Sequence, residues 1–418
     1  MNTLAEVALA FVNMAHRIVW CSAAGAVAAA PVSRHGSAGA GRHGTHPAEI
    51  KIELMMNPNG NSPKRVVVAM SGGVDSSVAA ALLVEQGYDV VGLMLRLWAE
   101  PGGKANRCCT PDAIADARRV ADALNIPFYV RDYKDTFKST VVDFFVDGYA
   151  SGVTPNPCIV CNRDIRFDRL LNEALSLGGD FLATGHYARV HHAEDGSYQL
   201  LKGIDPAKDQ SYMLYTMTQE RLARVLLPVG EYHKDKIRQI AKDKNLPVFD
   251  RPDSQDLCFL GAGDYRTFLA RHAPEVVQSG PILNSAGEQL GEHHGLAFYT
   301  IGQRKGLGLS APEPLFVIGK DVPANRLIVG SRAELGQAAL IAANVSFIGR
   351  PPATEIRVEA KIRYKARPAA ATLSPLPDGR LRLEFDEPLR DITPGQAVVF
   401  YQADQTLGGG TIERSLAG

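Results

Sequence analysis

Ser71-Gly72-Gly73-Val74-Asp75-Ser76 lies between an apolar run, Val66 to Met70, and an apolar segment, Ser77 to Gln86, that stops at Gly87. The run reads as a buried strand and the segment as a helix. Glycine lets backbone N–H groups approach a ligand closely, and the start of a helix favours negative charge, so the loop between them has the makings of an anion site. No Lys-Ser or Lys-Thr follows the glycines, which separates the segment from a Walker A loop. A plain glycine turn explains the glycines but not the agreement of strand, loop and helix start.

This unit opens an alternating pattern over residues 62–222. A strand at Val90 to Leu95 precedes a helix at Asp112 to Leu124, then a strand at Phe128 to Val130. Helices over 135–147 and 163–177 lead to the strand Phe181-Leu182-Ala183. Strands alternating with helices predict an α/β fold with a doubly wound parallel sheet. Ligands of such sheets sit beyond the carboxyl ends of the strands, where the glycine loop, Leu95, Gly185 and His186 fall. Asp195-Gly196, between Tyr187 to Val190 and Tyr198 to Leu201, predicts a hairpin. Residues 223–300 read as a small mixed central domain, with helices near 234–244 and 264–272. Residues 301–418 read as a C-terminal antiparallel β-barrel, from short strands at Leu315 to Ile318, Arg326 to Val329, Ile356 to Tyr364, Leu381 to Phe385 and Ala397 to Tyr401.

Of 418 residues, 45% are hydrophobic and 22% charged, which is ordinary for a globular protein. That length accommodates about three domains of ~150 residues. Lys+Arg and Asp+Glu both number 45, so a nucleic acid would have to be met by local basic patches. Residues 1–61 differ from the rest: Ala, Gly, Ser and His dominate, and the acids before residue 61 are Glu6, Glu49 and Glu53. Ile18 to Ala30 is apolar but too short to span a bilayer. The segment is expected to be a disordered extension, or to precede a true start at Met55 or Met56, with a targeting peptide as the alternative. No other stretch reads as transmembrane, and a cytoplasmic protein is expected.

Six cysteines, Cys21, Cys108, Cys109, Cys158, Cys161 and Cys258, are too few for a secreted disulfide scaffold of this length. They fit thiol chemistry or metal binding in the cytosol. In Thr154-Pro155-Asn156-Pro157-Cys158-Ile159-Val160-Cys161-Asn162 the prolines and asparagines predict a rigid loop before a helix starting near Arg163. A helix N-terminus stabilises thiolate, which favours Cys161 as the nearer thiol. A redox pair and half a zinc site are alternatives, although a structural zinc needs a second close pair and adjacent Cys108-Cys109 make a poor one. Cys258 is flanked by Asp253 to Asp256 and by Gly261, a loop composition.

The Ser71 to Ser76 loop is similar to the pyrophosphate loop of the N-type ATP pyrophosphatases, which split ATP between the α and β phosphates and leave AMP on a carbonyl oxygen. A wider set occurs in one order: Ser71 to Ser76, Asn156 to Asn162, Ala183-Thr184-Gly185-His186-Tyr187, Lys208-Asp209-Gln210-Ser211, the Cys258 loop, and Gly302-Gln303-Arg304-Lys305-Gly306-Leu307-Gly308. From about residue 62 onward this set resembles the tRNA-specific 2-thiouridylases. The resemblance implies replacement of O2 by sulfur at the wobble uridine of glutamate, lysine and glutamine tRNAs. It implies ATP with Mg2+, held by Ala69, Met70 and Ser71, by Gly72, Gly73 and Val74, by Asp75 and Ser76, and by Leu95 and Gly185. Asn156, Pro157 and Cys158 would face the target base. His186, Lys208, Asp209 and Gln210 would lie near the tRNA, with Arg363, Tyr364 and Gln396 on the barrel. Cys258 would carry the persulfide, and Cys161 would be the nucleophile that releases its sulfur and ends in a disulfide with Cys258. A cysteine desulfurase or a sulfur-carrier protein would supply sulfur to a monomeric enzyme.

Cys158 departs from members with aspartate at this position, which is proposed there as a general acid/base; a thiol transfers protons with a different pKa. Three thiolates with an open fourth position also form an iron–sulfur ligand set, so Cys158, Cys161 and Cys258 stand as alternative [4Fe–4S] ligands. Competing readings are an amidotransferase-like or synthetase-like adenylating enzyme, a non-catalytic RNA-binding scaffold, and a zinc-dependent base modifier. Cys108-Cys109 read as structural. His191-His192 and His293-His294 read as solvated loop residues. Gln303, Arg304 and Lys305 read equally as phosphate contacts or as a basic glycine turn. Gly408-Gly409-Gly410 predicts a bulge or turn.

Overall fold

The computed structural model describes residues 63–98, 100, 110–253, 257–260 and 264–416. The expectations for residues 1–61, Cys108, Cys109 and Gly261 lie outside them.

Strands β1 (Arg65–Ala69), β2 (Asp89–Arg96), β3 (Phe128–Asp132), β4 (Phe181–Ala183) and a short strand Val225–Leu226 form one sheet. Its order is β3-β2-β1-β4 followed by Val225–Leu226, and all pairs are parallel. Side chains alternate across a strand, and β1 shows what that does here. Val66 and Val68 pack under helices α1 (Val74–Glu85) and α2 (Pro111–Ala123), while Val67 and Ala69 face the opposite layer with Leu170, Leu171 and Ala174. Helices therefore cover both faces, as the alternating sequence pattern requires. Helix α2 is fixed at its start by Thr110, whose Oγ1 accepts the Ala113 N–H at 2.9 Å, and by Pro111 in the first turn. Such a cap is worth about 1 kcal/mol.

Two further helical runs lie between β3 and β4. The first, α3, comprises Lys134–Phe137, Lys138–Val142 and Asp143–Ala150; the second, α4, comprises Pro157–Val160, Cys161–Arg169 and Leu170–Ser176. Helix α4 thus begins at Pro157, not near Arg163. Asn156 is its N-cap, with Oδ1 accepting the Ile159 N–H at 3.4 Å, and Pro157 occupies the first helical position. Proline is favoured there because its missing N–H would be unpaired anyway. Cys158 stands in the first turn and Cys161 beyond it, which reverses the expected ranking of the two thiols by distance from the helix start.

The hairpin β5 (Ala188–His192) and β6 (Tyr198–Lys202) turns at Asp195-Gly196, with Gly196 at φ 82°. After it come α5 (Lys234–Asp243) and α6 (Tyr265–His272). A four-stranded mixed sheet follows, of β7 (Gly280–Leu283), β8 (Gln289–His293), β9 (Phe316–Asp321) and β10 (Arg326–Gly330) in the order β9-β10-β7-β8. Strands from either side of residue 300 therefore share one sheet, and the segments around Leu315 and Arg326 pair there instead of in the barrel.

The barrel consists of β11 (Gln337–Phe347), β12 (Ile356–Lys361), β13 (Ala369–Pro375), β14 (Leu381–Leu389), β15 (Ala397–Gln402) and β16 (Gln405–Leu416). Every neighbouring pair is antiparallel, and β11 pairs with β16 to close it. Gly408 to Gly410 lie inside β16 and pair with β11 and β15, so they form no turn; the register slips beside them. Strand β6 also pairs with β16, through Leu201 with Gln405 and Leu200 with Thr406, and so fastens the hairpin to the barrel.

His293 is fully buried, unlike the solvated residue expected. Its Nε2 donates to the Asn325 carbonyl at 3.0 Å and its Nδ1 accepts the Gly295 N–H at 3.1 Å. Arg304 and Lys305 are exposed in the glycine-rich turn before β9.

Candidate functional site

The loop after β1 is built by its own residues. The Ser71 N–H donates to Ser76 Oγ at 3.2 Å, and the Ser76 and Ser77 hydroxyls donate to the Gly73 carbonyl at 3.2 and 2.8 Å. Gly72 has φ 72°, and a Cβ there would lie 2.5 Å from the Ala113 carbonyl oxygen. A Cβ on Gly185 would lie 2.7 Å from the Ser76 nitrogen. The loop thus approaches α2, and the end of β4 the start of α1, only because these positions lack side chains. The result is a cradle of backbone N–H groups at a helix start, the arrangement that takes phosphate. Beside it, Ala69, Met70, Ser71 and Leu95 line one narrow cleft with Leu97, Ile165 and Arg166. A phosphate would suit the cradle, and the apolar cleft wall would suit the face of an adenine ring. The Asp75 carboxylate in the first turn of α1 is held by Lys234 and Tyr187, so an accompanying Mg2+ would have to share it with them.

Sequence reading missed the charges that hold this loop. Lys234 Nζ stands 2.7 and 2.9 Å from the two Asp75 carboxylate oxygens and 3.0 Å from Asp253 Oδ1. Asp253 also accepts from Lys208 Nζ at 2.7 Å and Arg238 Nη2 at 2.6 Å. Tyr187 OH donates to Asp75 Oδ1 at 2.6 Å. Arg251 donates to the Gly72 carbonyl at 2.6 Å and pairs with Asp116. Burial works against the Asp253 carboxylate, but hydrogen bonds from Lys208 and Lys234 prevail and hold it at about 2. One signal was available: a lysine in the first helical position opposes the helix dipole, so its placement there needs another reason.

Cys161 and Cys258 share an apolar cluster with two residues of this cleft. Cys161 is buried in an apolar cluster with Leu97, Phe145 and Ile165, and Cys258 packs against that cluster. Leu97 and Ile165 also line the cleft. Cys158 is partly exposed, and burial of its thiol, with Cys161 beside it, pushes it up to about 12 despite Arg166 nearby. A thiol so raised is a poor replacement for a carboxylate general acid/base. Among the described residues, no group of three His, Cys, Asp or Glu side chains is placed to hold a metal ion. The alternative [4Fe–4S] set of Cys158, Cys161 and Cys258 therefore finds no such grouping, while the Cys108-Cys109 pair weighed for zinc lies outside the described residues.

His186 follows Gly185 at the end of β4. Burial of its ring, then the Arg166 guanidinium, push it down to about 3, so the imidazole is neutral, with Nδ1 2.7 Å from Thr184 Oγ1. Lys208, Asp209 and Gln210 are largely engaged within the protein. Asp209 accepts from the Gly203 and Ser211 backbone and from the Ser211 hydroxyl, and Gln210 brackets the Tyr187 backbone through Oε1 and N–H. Arg363 donates to the Ile301 carbonyl at 2.9 Å and to Thr393, and Gln396 Nε2 donates to the Thr154 carbonyl at 3.0 Å. Both hold loops in place, while Tyr364 beside them is partly exposed.

Three family models match in succession: tRNA methyl transferase HUP domain over residues 64–262, tRNA methyl transferase PRC-barrel domain over 266–331, and aminomethyltransferase beta-barrel domain over 337–412. A tRNA-specific 2-thiouridylase MnmA of Moorella thermoacetica is 53% identical over 83% of this chain and 99% of that protein. Proteins of the same name from Carboxydothermus hydrogenoformans and Magnetococcus marinus are 48% and 49% identical, each over 84% of this chain and 98% and 99% of their own length. Identity at that level along nearly the whole of each relative leaves one conclusion: the chain belongs to the tRNA-specific 2-thiouridylase family.

Proposed function

We propose that this protein is a tRNA-uridine 2-sulfurtransferase that uses ATP to replace O2 of the wobble uridine in glutamate, lysine and glutamine tRNAs with sulfur. The observation that carries the reading is the wall shared by the nucleotide cleft and the cysteine cluster, Leu97 and Ile165. It supports an activating phosphate site in the neighbourhood of two thiols that are distant in the chain. A urea-like oxygen is a poor leaving group, whereas AMP leaves readily. The O2 oxygen attacks the α-phosphorus of ATP, held in the Ser71 to Ser76 cradle, and pyrophosphate departs. The terminal sulfur of a Cys258 persulfide then bonds to C2 while Cys161 attacks the inner sulfur; the S–S bond of the persulfide breaks, a Cys161–Cys258 disulfide forms, and AMP leaves. Asn156 and Pro157, fixed at the start of α4, face the extruded base, which must leave its stack to be reached.

A cysteine desulfurase or a sulfur-carrier protein loads Cys258, and a reductant restores the thiols. The protein works as a cytoplasmic monomer. Among the described residues, no helix is long and apolar enough to cross a membrane. Methyl transfer, the wording of two family-model descriptions, requires neither a phosphate cradle nor paired thiols.

The test is a nucleoside digest of unmodified glutamate tRNA after incubation with the protein, Mg-ATP and a persulfide source. New 2-thiouridine with AMP and pyrophosphate, lost in Cys161→Ser and Cys258→Ser, is expected. AMP release without thiolated base would identify a different adenylating enzyme, and absence of ATP turnover would point to an RNA-binding protein.

A further inference from the structure

A cavity of about 310 Å³ lies where three parts of the chain meet. Gly152 to Thr154 reach it from the segment between α3 and α4, Ile318 to Lys320 from β9, and Ile392 to Pro394 from the connection between β14 and β15. It shares no lining residue with the nucleotide cleft or with the candidate base and tRNA contacts. Ile301, Ile318, Val322, Leu335 and Ile392 make much of its wall apolar.

One cation is turned into this apolar space by the backbone. Strand β9 carries a bulge between Val317 and Gly319, so that Val317 stands opposite Val329 but Lys320 stands opposite Leu327. Opposed residues of an antiparallel pair share a face, and Val329 and Leu327 are both fully buried. Regular alternation would put Gly319 on the face of Val317; the extra residue puts Lys320 there instead. Lys320 Nζ donates to the Gly152 carbonyl at 3.3 Å, and among the described residues it pairs with no carboxylate. Burial pushes the ammonium down to about 8 with no neighbouring charge to offset it, so it still carries its proton at pH 7. The other charged groups on the wall are engaged: Arg414 pairs with Glu413, and Glu334 accepts the Ser331 N–H at 2.7 Å.

A mostly buried ammonium held by one neutral carbonyl is poorly compensated for the water it has lost. A carboxylate restores that balance through a charge-assisted hydrogen bond. A single unpaired cation, with Glu334 on the same wall, favours one negative charge over the two of a phosphate. The isoleucine and leucine side chains favour an apolar body behind that charge.

We propose that this cavity is a binding site for a small monocarboxylate with an apolar body, its carboxylate on Lys320 and its body against Ile318, Leu335 and Ile392. Gly152 to Thr154 lead into the Asn156 cap of α4, and the Thr154 N–H and carbonyl are bonded to Pro394 and Gln396. An occupant there braces the segment before the cysteine-bearing helix from outside the nucleotide cleft, which is the position of an effector.

The experiment titrates the full chain at pH 7 and fixed ionic strength with sodium benzoate, benzyl alcohol and inorganic phosphate, read by calorimetry. Benzoate is expected to bind saturably, and benzyl alcohol, which keeps the ring without the charge, about tenfold or more weakly. Phosphate is expected to bind more weakly than benzoate. Lys320→Met should lose benzoate affinity by about tenfold or more with ATP affinity unchanged. Its urea midpoint should not fall, because a poorly compensated charge has been removed. Glu334→Gln, at an exposed position, should bind benzoate severalfold more tightly, and it reports on the site if Lys320→Met fails to fold. No saturable benzoate binding, equal affinity for benzoate and benzyl alcohol, or unchanged benzoate affinity in either folded variant would overturn the site. Tighter binding of phosphate than of benzoate would overturn the monocarboxylate assignment.

Discussion

Lys234 and Asp75 form an ion pair of 2.7 Å that ties the start of α5 to the phosphate loop. The same ammonium reaches Asp253 at 3.0 Å, on the segment that leads to Cys258. One buried cation therefore neutralises a carboxylate at the mouth of the cradle, where a bare negative charge would repel phosphate.

Lys234→Met is expected to weaken ATP binding more than tenfold and to destabilise the fold by about 2 kcal/mol. The stability loss falls below the ~3–5 kcal/mol typical of fully buried pairs because the Asp75 and Asp253 side chains are 32% and 27% exposed. ATP titration and urea unfolding measure the two effects. A variant with wild-type ATP affinity would show that Asp75 needs no neutralising partner.

Cys158 is expected to be chemically quiet. With its thiol pushed up to about 12, roughly one molecule in ten thousand carries the thiolate at pH 8. Iodoacetamide labelling of Cys158 should be very slow at pH 8 and rise about tenfold per pH unit, as read by peptide mass spectrometry. Cys158→Ser should retain tRNA thiolation within about threefold, whereas Cys161→Ser should abolish it. Equal losses in the two variants would give Cys158 a part in the chemistry.

The buried His293 makes stability depend on pH. Burial holds its pKa below the ordinary value, although the Asn325 carbonyl opposes the shift. The unfolded value is about 6.5, so unfolding takes up a proton between the folded and unfolded values. The stability it contributes is complete above about pH 6.5 and is lost as pH falls toward the folded value. Urea midpoints at pH 7.5 and pH 5.5 should differ by less in His293→Gln than in wild type. An identical difference would remove His293 from the account.

How far the sequence disclosed this molecule depended on whether the cause was local. The cradle was legible because strand, glycines and helix start are contiguous, and φ 72° at Gly72 is what the motif requires. The start of α4 was misread because Asn156-Pro157 serves equally as a loop breaker and as a helix cap with proline in the first position. Strand β11 went unseen: Gln337-Ala-Ala-Leu-Ile-Ala-Ala has little strand preference, and only pairing with β14 and β16 makes it extended. The Asp75–Lys234–Asp253 network joins residues far apart in the chain, so no window of sequence contains it. His293 looked polar and exposed, yet two backbone groups satisfy both ring nitrogens.

Gln396 carries the final prediction. Its Nε2 donates to the Thr154 carbonyl at 3.0 Å and reaches the Pro155 carbonyl at 3.5 Å, while the Thr154 N–H donates to the Pro394 carbonyl at 3.0 Å. These bonds fasten the barrel to the residues just before the Asn156 cap, and so set the position from which α4 presents Cys158 and Cys161. Gln396→Ala should cost about 1 kcal/mol of stability, as for loss of a neutral hydrogen bond. The larger effect should be on chemistry, because a small displacement of a reacting group slows its step by about 10- to 100-fold. ATP binding should be unaffected, since the cradle lies on β1 and α1, away from this contact. Thiolation kcat should therefore fall at least tenfold with ATP KM unchanged, in assays of AMP release and thiouridine formation run side by side. A rise in tRNA KM with kcat preserved would instead assign Gln396 to direct RNA contact.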